Sequence, residues 1–445
     1  MRGSFEKKEL DWILVVALGI LIVIGLAYLY SAIIAKSGTA DLIESVLGGG
    51  NILNKEFAYQ LFLGIGLGGL IAYGLYKLDY HILLKYSTVL MWILIILLTI
   101  IAIPVLITTI YTRFKGGDTN TALQALSKGS GRFLYYANNS IRWIKVGFTV
   151  QPAEVAKLVI LIFLAAIIDK YKELNLIKFG KPLALIGASL VMILIQPDLG
   201  SVVVLSVIIL AGLWVAGVRV RYFAGLLMLV AVVGGIFAIT ASYRNVRVVT
   251  WVYQNFCRDI SLVAPPPISE RQGICKYFEF TKSNVDAYQT EQIRSALARG
   301  GITGVGYNNG DLKTIIPEVS TDGIIGVVGE ENGMLMVLFI LALYGIIFIR
   351  GIKIASEAPD KAGQVLATGI SVWIAFQAIW NITGMTGMIP MKGLTLPFIS
   401  EGNSSMIISL AAIGILLNIS TQKSYSGFVA NTKKLHNTSK KFLYR

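Results

Sequence analysis

Long apolar runs constrain this chain more than any other feature. Ten segments, at about 12–35, 57–77, 86–108, 151–168, 182–196, 200–217, 222–242, 323–349, 363–388 and 403–420, carry few charges and are separated by polar stretches. A helix needs about 20 apolar residues to cross the bilayer hydrocarbon. The predicted fold class is therefore an all-α polytopic membrane protein with about ten transmembrane helices. Composition agrees: 55% of the 445 residues are hydrophobic and 14% are charged, where a soluble chain has roughly a quarter charged. The first run is too long for a signal-peptide core and lacks a small-residue cleavage site, so it reads as a retained helix.

The net charge of +14 is not spread evenly. With the N-terminus inside, segments 1–11, 77–85, 169–181, 217–221, 350–361 and 421–445 face the cytoplasm. They hold 20 Lys and Arg against 8 Asp and Glu, while the remainder holds 19 against 17. Excess Lys and Arg mark cytoplasmic loops, so the basic balance reads as topology rather than nucleic-acid binding. Both termini are expected in the cytoplasm. Residues 1–421 read as one transmembrane domain and 422–445 as a basic tail beside anionic lipid. Three polar regions fall on the outer face: 36–56, 109–150 and a large loop at about 243–322 between the seventh and eighth helices. Two His and two Cys in the whole chain leave little for a His/Cys metal site.

The ionisable residues of the outer face are unusual. The fourth helix opens with QPAEVAK. Pro152 suits a first helical turn, and Glu154 suits the positive end of the helix dipole. Lys157 lies a turn deeper on the same side, where a cation is unfavourable for the dipole. An ionisable group below the interface points to function, with snorkelling as the alternative. QPDLG puts Asp198 in a Pro-Asp turn on the same face. Glu330 and Glu331 lie two turns into the eighth run and need pairing or water. The large loop brings Arg244 and Arg247, then Asp286, Tyr288, Gln289, Gln292 and Arg294 before a glycine-rich turn, Gly300–Gly306. Without a preceding strand that turn is no nucleotide fingerprint; it reads as a turn on a re-entrant segment, which is tolerated where it lines a watered cavity. Lys392 and Glu401 lie in the last outer connection. Together these residues suggest a site at the outer membrane boundary for a lipid-linked substrate with a polar head.

The stretches RWIKVGFTVQPAEVAK, QPDLGS, ALARGGITGVGY, IPEVSTDGIIGVVGEENG and GMIPMKGLTLPFIS occur in one order over about residues 140–410. In these the chain resembles the SEDS family of shape, elongation, division and sporulation proteins, represented by RodA and FtsW, with a slight lean to the division branch. The resemblance implies an inverting peptidoglycan glycosyltransferase that polymerises lipid II at the outer face of the bacterial cytoplasmic membrane, beside a class B penicillin-binding protein. By motif it implies Asp286 as the catalytic acid, with Asp259 as a rival. It implies roles in substrate binding for Arg142, Glu154, Lys157 and Asp198, to which Arg244, Arg247, Gln292, Glu330 and Lys392 are added by their placement. Asp286 would deprotonate the acceptor hydroxyl; Arg244, Arg247, Lys157 and Lys392, or a divalent cation such as magnesium or manganese, would steady the leaving diphosphate. The chain departs from the family at CRDISLVAPPPISERQGICKYFEF, which replaces the usual Asp-Pro-x-Gly stretch, and at Gly323, Glu401 and Asn403. Cys257 and Cys275 would clip that insertion as a disulfide in an oxidising compartment. A lipid II flippase and a non-catalytic division or elongation scaffold remain as alternatives.

Overall fold

A computed structural model gives the architecture; it describes residues 10–47, 55–131, 133–137, 140–171, 176–218, 225, 228, 285–389 and 393–422. The seventh apolar run, apart from two isolated residues, lies outside them. So do most of the large loop with Arg244, Arg247, Cys257, Asp259 and Cys275, as well as Lys392 and the basic tail.

The helices are α1 (Trp12–Leu47), α2 (Lys55–Tyr59), α3 (Gly68–Lys77), α4 (Tyr80–Lys115), α5 (Thr119–Gly129), α6 (Pro152–Lys170), α7 (Leu176–Ile195), α8 (Leu199–Ala216), α9 (Val285–Gly300), α10 (Ile324–Glu357), α11 (Lys361–Met385) and α12 (Asn403–Ser420). A π-helical stretch, Gln60–Leu67, joins α2 to α3. Among the described residues seven spans are long and apolar enough to cross a membrane. Two further helices, α6 and α7, coincide with predicted runs; α6 carries Glu154, Lys157, Asp169 and Lys170 within its 19 residues. The chain is thus a polytopic helical membrane protein.

α6 is the axis of the bundle. It is buried along nearly its whole length and packs on α4, α8 and α11. A helix apolar around its circumference is expected at such a position. Close approach helps: a methyl group at Gly369 of α11 would lie 2.4 Å from Leu161 Cδ1, the small-residue contact that lets helices meet in lipid.

α4 has 36 residues, about 54 Å of helix at 1.5 Å per residue, and exceeds the roughly 30 Å hydrocarbon thickness. Its C-terminal end supports a small additional layer. There α5 and a three-stranded antiparallel sheet, Leu134–Ala137, Ser140–Val146 and Phe148–Val150, enclose Ile101, Val105, Leu123, Leu134, Ile141 and Ile144. This sheet is a departure from the wholly helical expectation, and it occupies the stretch expected to be a Gly/Ser/Asn-rich loop.

Hydrogen bonds define two faces. On one, Arg350 holds Asp11 through two nitrogens, His81 lies between Asp79 and Asp360, and Asn418 donates to the Tyr76 carbonyl. On the other, Gln151 reaches Asp198, Ser404 reaches the Thr149 carbonyl, and the Glu401 amide reaches the Ser320 carbonyl. These are the same groups of segments that the charge count separates.

α10 is broken. Gly333 sits at φ 69°, ψ −172°, a conformation essentially reserved for glycine. The glycine-rich turn docks into the break. Amides of Val305 and Gly306 donate to the Glu330 and Glu331 carbonyls at 3.0 and 2.8 Å, and amides of Met334 and Leu335 donate to the Gly301 and Ile302 carbonyls at 2.9 and 3.2 Å. A methyl group at Gly333 would lie 2.3 Å from the Ile302 oxygen, and one at Gly304 would lie 2.1 Å from the Glu331 oxygen. Gly333→Ala and Gly304→Ala should therefore each lower the thermal midpoint of the detergent-purified protein by several degrees. Gly345→Ala, in regular helix with open space around its methyl position, should leave it unchanged or raised, since Ala gains up to about 1 kcal/mol over Gly in a helix. Equal effects at 333 and 345 would contradict the docking.

Candidate active site

The face of the bundle with Gln151 and Asp198 gathers buried polar groups around a re-entrant loop, residues 393–402. Leu394, Leu396, Phe398 and Ile399 of this loop are buried. Non-helical backbone at membrane depth needs protein partners, and this loop finds them. Gln377 donates to the Thr395 carbonyl at 2.9 Å and Asn381 to the Leu394 carbonyl at 2.6 Å. Tyr344 donates to the Pro397 carbonyl, and Gln60, on the π-helical stretch, spans the Ser400 carbonyl and the Gly402 amide.

Gln377 connects this loop to the first predicted pair. Lys157 is fully buried; its Nζ donates to Glu154 Oε1 at 2.7 Å and to Gln377 Oε1 at 2.8 Å, and lies 5.5 Å from the centre of the Trp373 ring. The lysine is held inside the bundle rather than drawn out to the surface. Glu154 Oε2 is buried with no hydrogen-bond partner among the described residues. Asp198 caps α8 through the Ser201 amide and accepts from Gln151 Nε2 at 2.9 Å. Gln151 immediately precedes α6, so Glu154, Lys157 and Asp198 share one region. Arg142, on the middle strand, is partly buried, and its Nε also finds no partner among the described residues.

α9 packs on α10. Asp286 lies in its first turn, but its side chain is outside the described residues. Tyr288 is exposed, Gln292 is partly buried, and Gln289 is buried. Gln289 donates to the Pro317 carbonyl at 2.9 Å and reaches Asp322 Oδ1 at 3.4 Å; Arg294 donates to the Thr386 and Gly387 carbonyls. Burial, aided by the Glu318 carboxylate, pushes the Asp322 carboxyl from 3.8 up to about 6.

Glu330 and Glu331 stand apart from this group, around the break in α10. Glu330 Oε1 accepts from Arg299 at 3.1 Å and from the amides of Asp311 and Leu312. Glu331 Oε1 accepts from Lys313 at 2.8 Å and from Ser31 at 2.5 Å, linking the break to α1. Lys313 also donates to Asn308. Each carboxylate is paired through its Oε1, although Glu331 Oε2 is buried without a partner among the described residues, and Glu330 is brought to Arg299 rather than to the Glu154 group. The sequence reading missed Lys313, Asp322, Gln377 and Asn381. Trp373, Gln377 and Asn381 recur every fourth residue on α11, a polar stripe in an apolar run that could have signalled an inward face. Asp322 and Lys313 sit in irregular backbone, where no period exists to read.

Among the described residues no group of three His, Cys, Asp or Glu side chains is arranged to hold a metal ion. Glu154, Glu330 and Glu331 are each shared with a cation, and Asp198 with an amide and a hydroxyl. These described donors do not by themselves form a divalent-cation site.

Removing one partner of a buried ion pair strands the other, typically costing about 3–5 kcal/mol. Lys157→Met should thus sharply lower the thermal stability of the purified protein. Glu154→Gln combined with Lys157→Met should recover much of that loss, because no uncompensated charge remains. Additive losses in the double variant would show that the pair does not act as a unit.

Residues 123–258 and 268–425 match the family described as cell cycle protein, FtsW/RodA/SpoVE. The gap falls inside the unusual insertion; Asp259 lies in it, whereas Asp286 lies within the match. Stage V sporulation protein E of Bacillus subtilis is 31% identical over 428 residues, 94% of this chain and 99% of that one. The probable peptidoglycan glycosyltransferase FtsW of Geobacter metallireducens is 34% identical over 291 residues, 64% of this chain and 71% of that one. Among solved structures, a chain of a peptidoglycan synthase complex superposes with TM-score 0.64 at 22% identity, covering 92% of this chain and 97% of that chain. The Thermus thermophilus rod shape determining protein RodA superposes with TM-score 0.57 at 20% identity, covering 92% and 96%. With two long stretches of the family matched in order and a relative aligned almost end to end, the chain belongs to the FtsW/RodA/SpoVE family of cell cycle proteins.

Proposed function

We propose that this chain is a peptidoglycan glycosyltransferase, polymerising lipid II at the outer face of the bacterial cytoplasmic membrane, with both termini in the cytoplasm. The observation that carries the reading is the buried polar group around the re-entrant loop. A protein that only packs helices in lipid has no use for Glu154, Lys157, Gln377 and Asp198 in one region, since buried ionisable groups are costly in a bilayer. The names carried by its relatives support the same chemistry.

The acceptor sugar hydroxyl gives its proton to Asp286 as it attacks the donor sugar. The attack is in line, so an α-linked donor gives a β-linked product without a covalent enzyme intermediate. Lys157 is neutralised by Glu154, and its contribution is to hold Gln377 and the loop. Arg142, whose buried Nε has no partner among the described residues, together with Arg244, Arg247 and Lys392, supplies positive charge toward the departing diphosphate. Asp198 and Gln151 fix the entrance of α6. The family match supports Asp286 over Asp259. A class B penicillin-binding protein is the proposed partner, which would crosslink the strands made here.

The test is direct. The purified protein, with a transpeptidase-inactive penicillin-binding partner, is given lipid II, and glycan strands are resolved by gel. Polymer is expected from the wild type and from Asp259→Ala, with a loss of at least about a hundredfold in Asp286→Ala. Full activity in Asp286→Ala would remove the base assignment, and no polymer from folded wild-type complex would remove the enzyme reading.

A further inference from the structure

Asp322 is the buried acid that the reaction scheme above does not use. It lies at a junction of three elements, just before α10. Its Oδ1 faces Gln289 Nε2 at 3.4 Å and Thr321 Oγ1 at 3.2 Å. Its backbone carbonyl accepts from Asn381 Nδ2 at 3.1 Å, and the same amide group holds the Leu394 carbonyl of the re-entrant loop. Its Oδ2 faces Gly393, where a methyl group would lie 2.9 Å away. The loop can seat against this carboxyl because residue 393 has no side chain.

Gln289 lies three residues after Asp286, on the same side of α9. The side-chain amide of Gln289 also donates to the Pro317 carbonyl, so its NH2 is shared between a main-chain oxygen and the acid. The contact therefore ties the first turn of α9 to the start of α10, and through Asn381 to the loop.

We propose that Asp322 is a positioning residue of the site: its carboxylate fixes Gln289, and with it the Asp286 turn of α9, against the loop at residues 393–402. This rests on the proposed function for its catalytic consequence, but the positioning itself does not.

The device is sensitive to protons. Glu318, in the turn before α10, is the charged neighbour that acts on it, and burial acts in the same direction, giving about 6 in place of 3.8. From α9 it meets the neutral Gln289, from α11 the neutral Asn381 and from the loop Gly393, while Arg294 is directed to the Thr386 and Gly387 carbonyls. The sign follows from linkage. Between about pH 4 and 6 the folded protein keeps a proton that the unfolded chain has released, so this group's contribution to stability falls as pH rises through that window. The ionised form that accepts from Gln289 predominates only above it.

Two measurements on the full-length complex test this. In the first, hydrogen exchange of peptides covering 285–292 is followed, corrected for intrinsic rates. Asp322→Asn and Gly393→Ala should each raise exchange about tenfold at pH 7.5. In the second, lipid II polymerisation is measured against pH. Asp322→Asn should lose about tenfold in kcat with KM nearly unchanged and should lose the wild-type inflection near pH 6. Unaltered exchange in both variants, or an Asp322→Asn pH profile that overlays the wild type, overturns the proposal. If wild-type protein makes no polymer, the enzyme reading falls while the exchange measurement still decides this one.

Discussion

The bilayer leaves no water for unpaired backbone, and the architecture on the Glu154 side of this protein depends on how that demand is met. α10 breaks at Gly333, and the turn after α9 supplies the missing partners through four main-chain hydrogen bonds. The loop at 393–402 is irregular for ten residues and is satisfied by side chains from the π-helical stretch, α10 and α11. Both departures from regular helix lie toward the same face.

The buried charges follow the same logic. Lys157 with Glu154, Lys313 with Glu331 and Arg299 with Glu330 are each matched. A buried pair adds little net stability over a hydrophobic replacement, so stability alone is a weak account of the two buried ones, Lys157 with Glu154 and Lys313 with Glu331. The Lys313 and Arg299 pairs fasten the α9–α10 connection to itself and to α1, which sets where α9 stands. The Lys157 pair fastens α6 to Gln377 and so to the loop. The elements around the site are thus tied by ion pairs, while Arg142 Nε and Glu154 Oε2 are left without protein partners among the described residues.

Much of this was legible in the sequence. The apolar runs located the helices because hydrocarbon imposes both a length and a composition. Glu154, Lys157 and Asp198 were legible because an ionisable group near the end of an apolar helix is conspicuous. Glu330 and Glu331 were equally conspicuous, yet their partners were not: Arg299, Lys313 and Ser31 come from other segments, and only the docked turn brings them close. The three-stranded sheet was hidden because SIRWIKV and FTV are short and sit among Gly, Ser and Asn. Asp322 gave no signal, since a single Asp before a helix ordinarily reads as a cap, whereas here Gly323 occupies the N-cap and the acid faces inward.

All of the proposed chemistry requires the face holding Asp198, Gln289 and the re-entrant loop to open away from the cytoplasm. Sidedness can be measured in intact cells with a membrane-impermeant thiol reagent on variants carrying one cysteine, after Cys257 and Cys275 are replaced by Ser. Tyr288→Cys, at an exposed position on α9, should be labelled in intact cells; Ser356→Cys, at an exposed position near the end of α10, should be labelled only after the membrane is permeabilised. The reverse pattern would turn the site toward the cytoplasm and contradict the account.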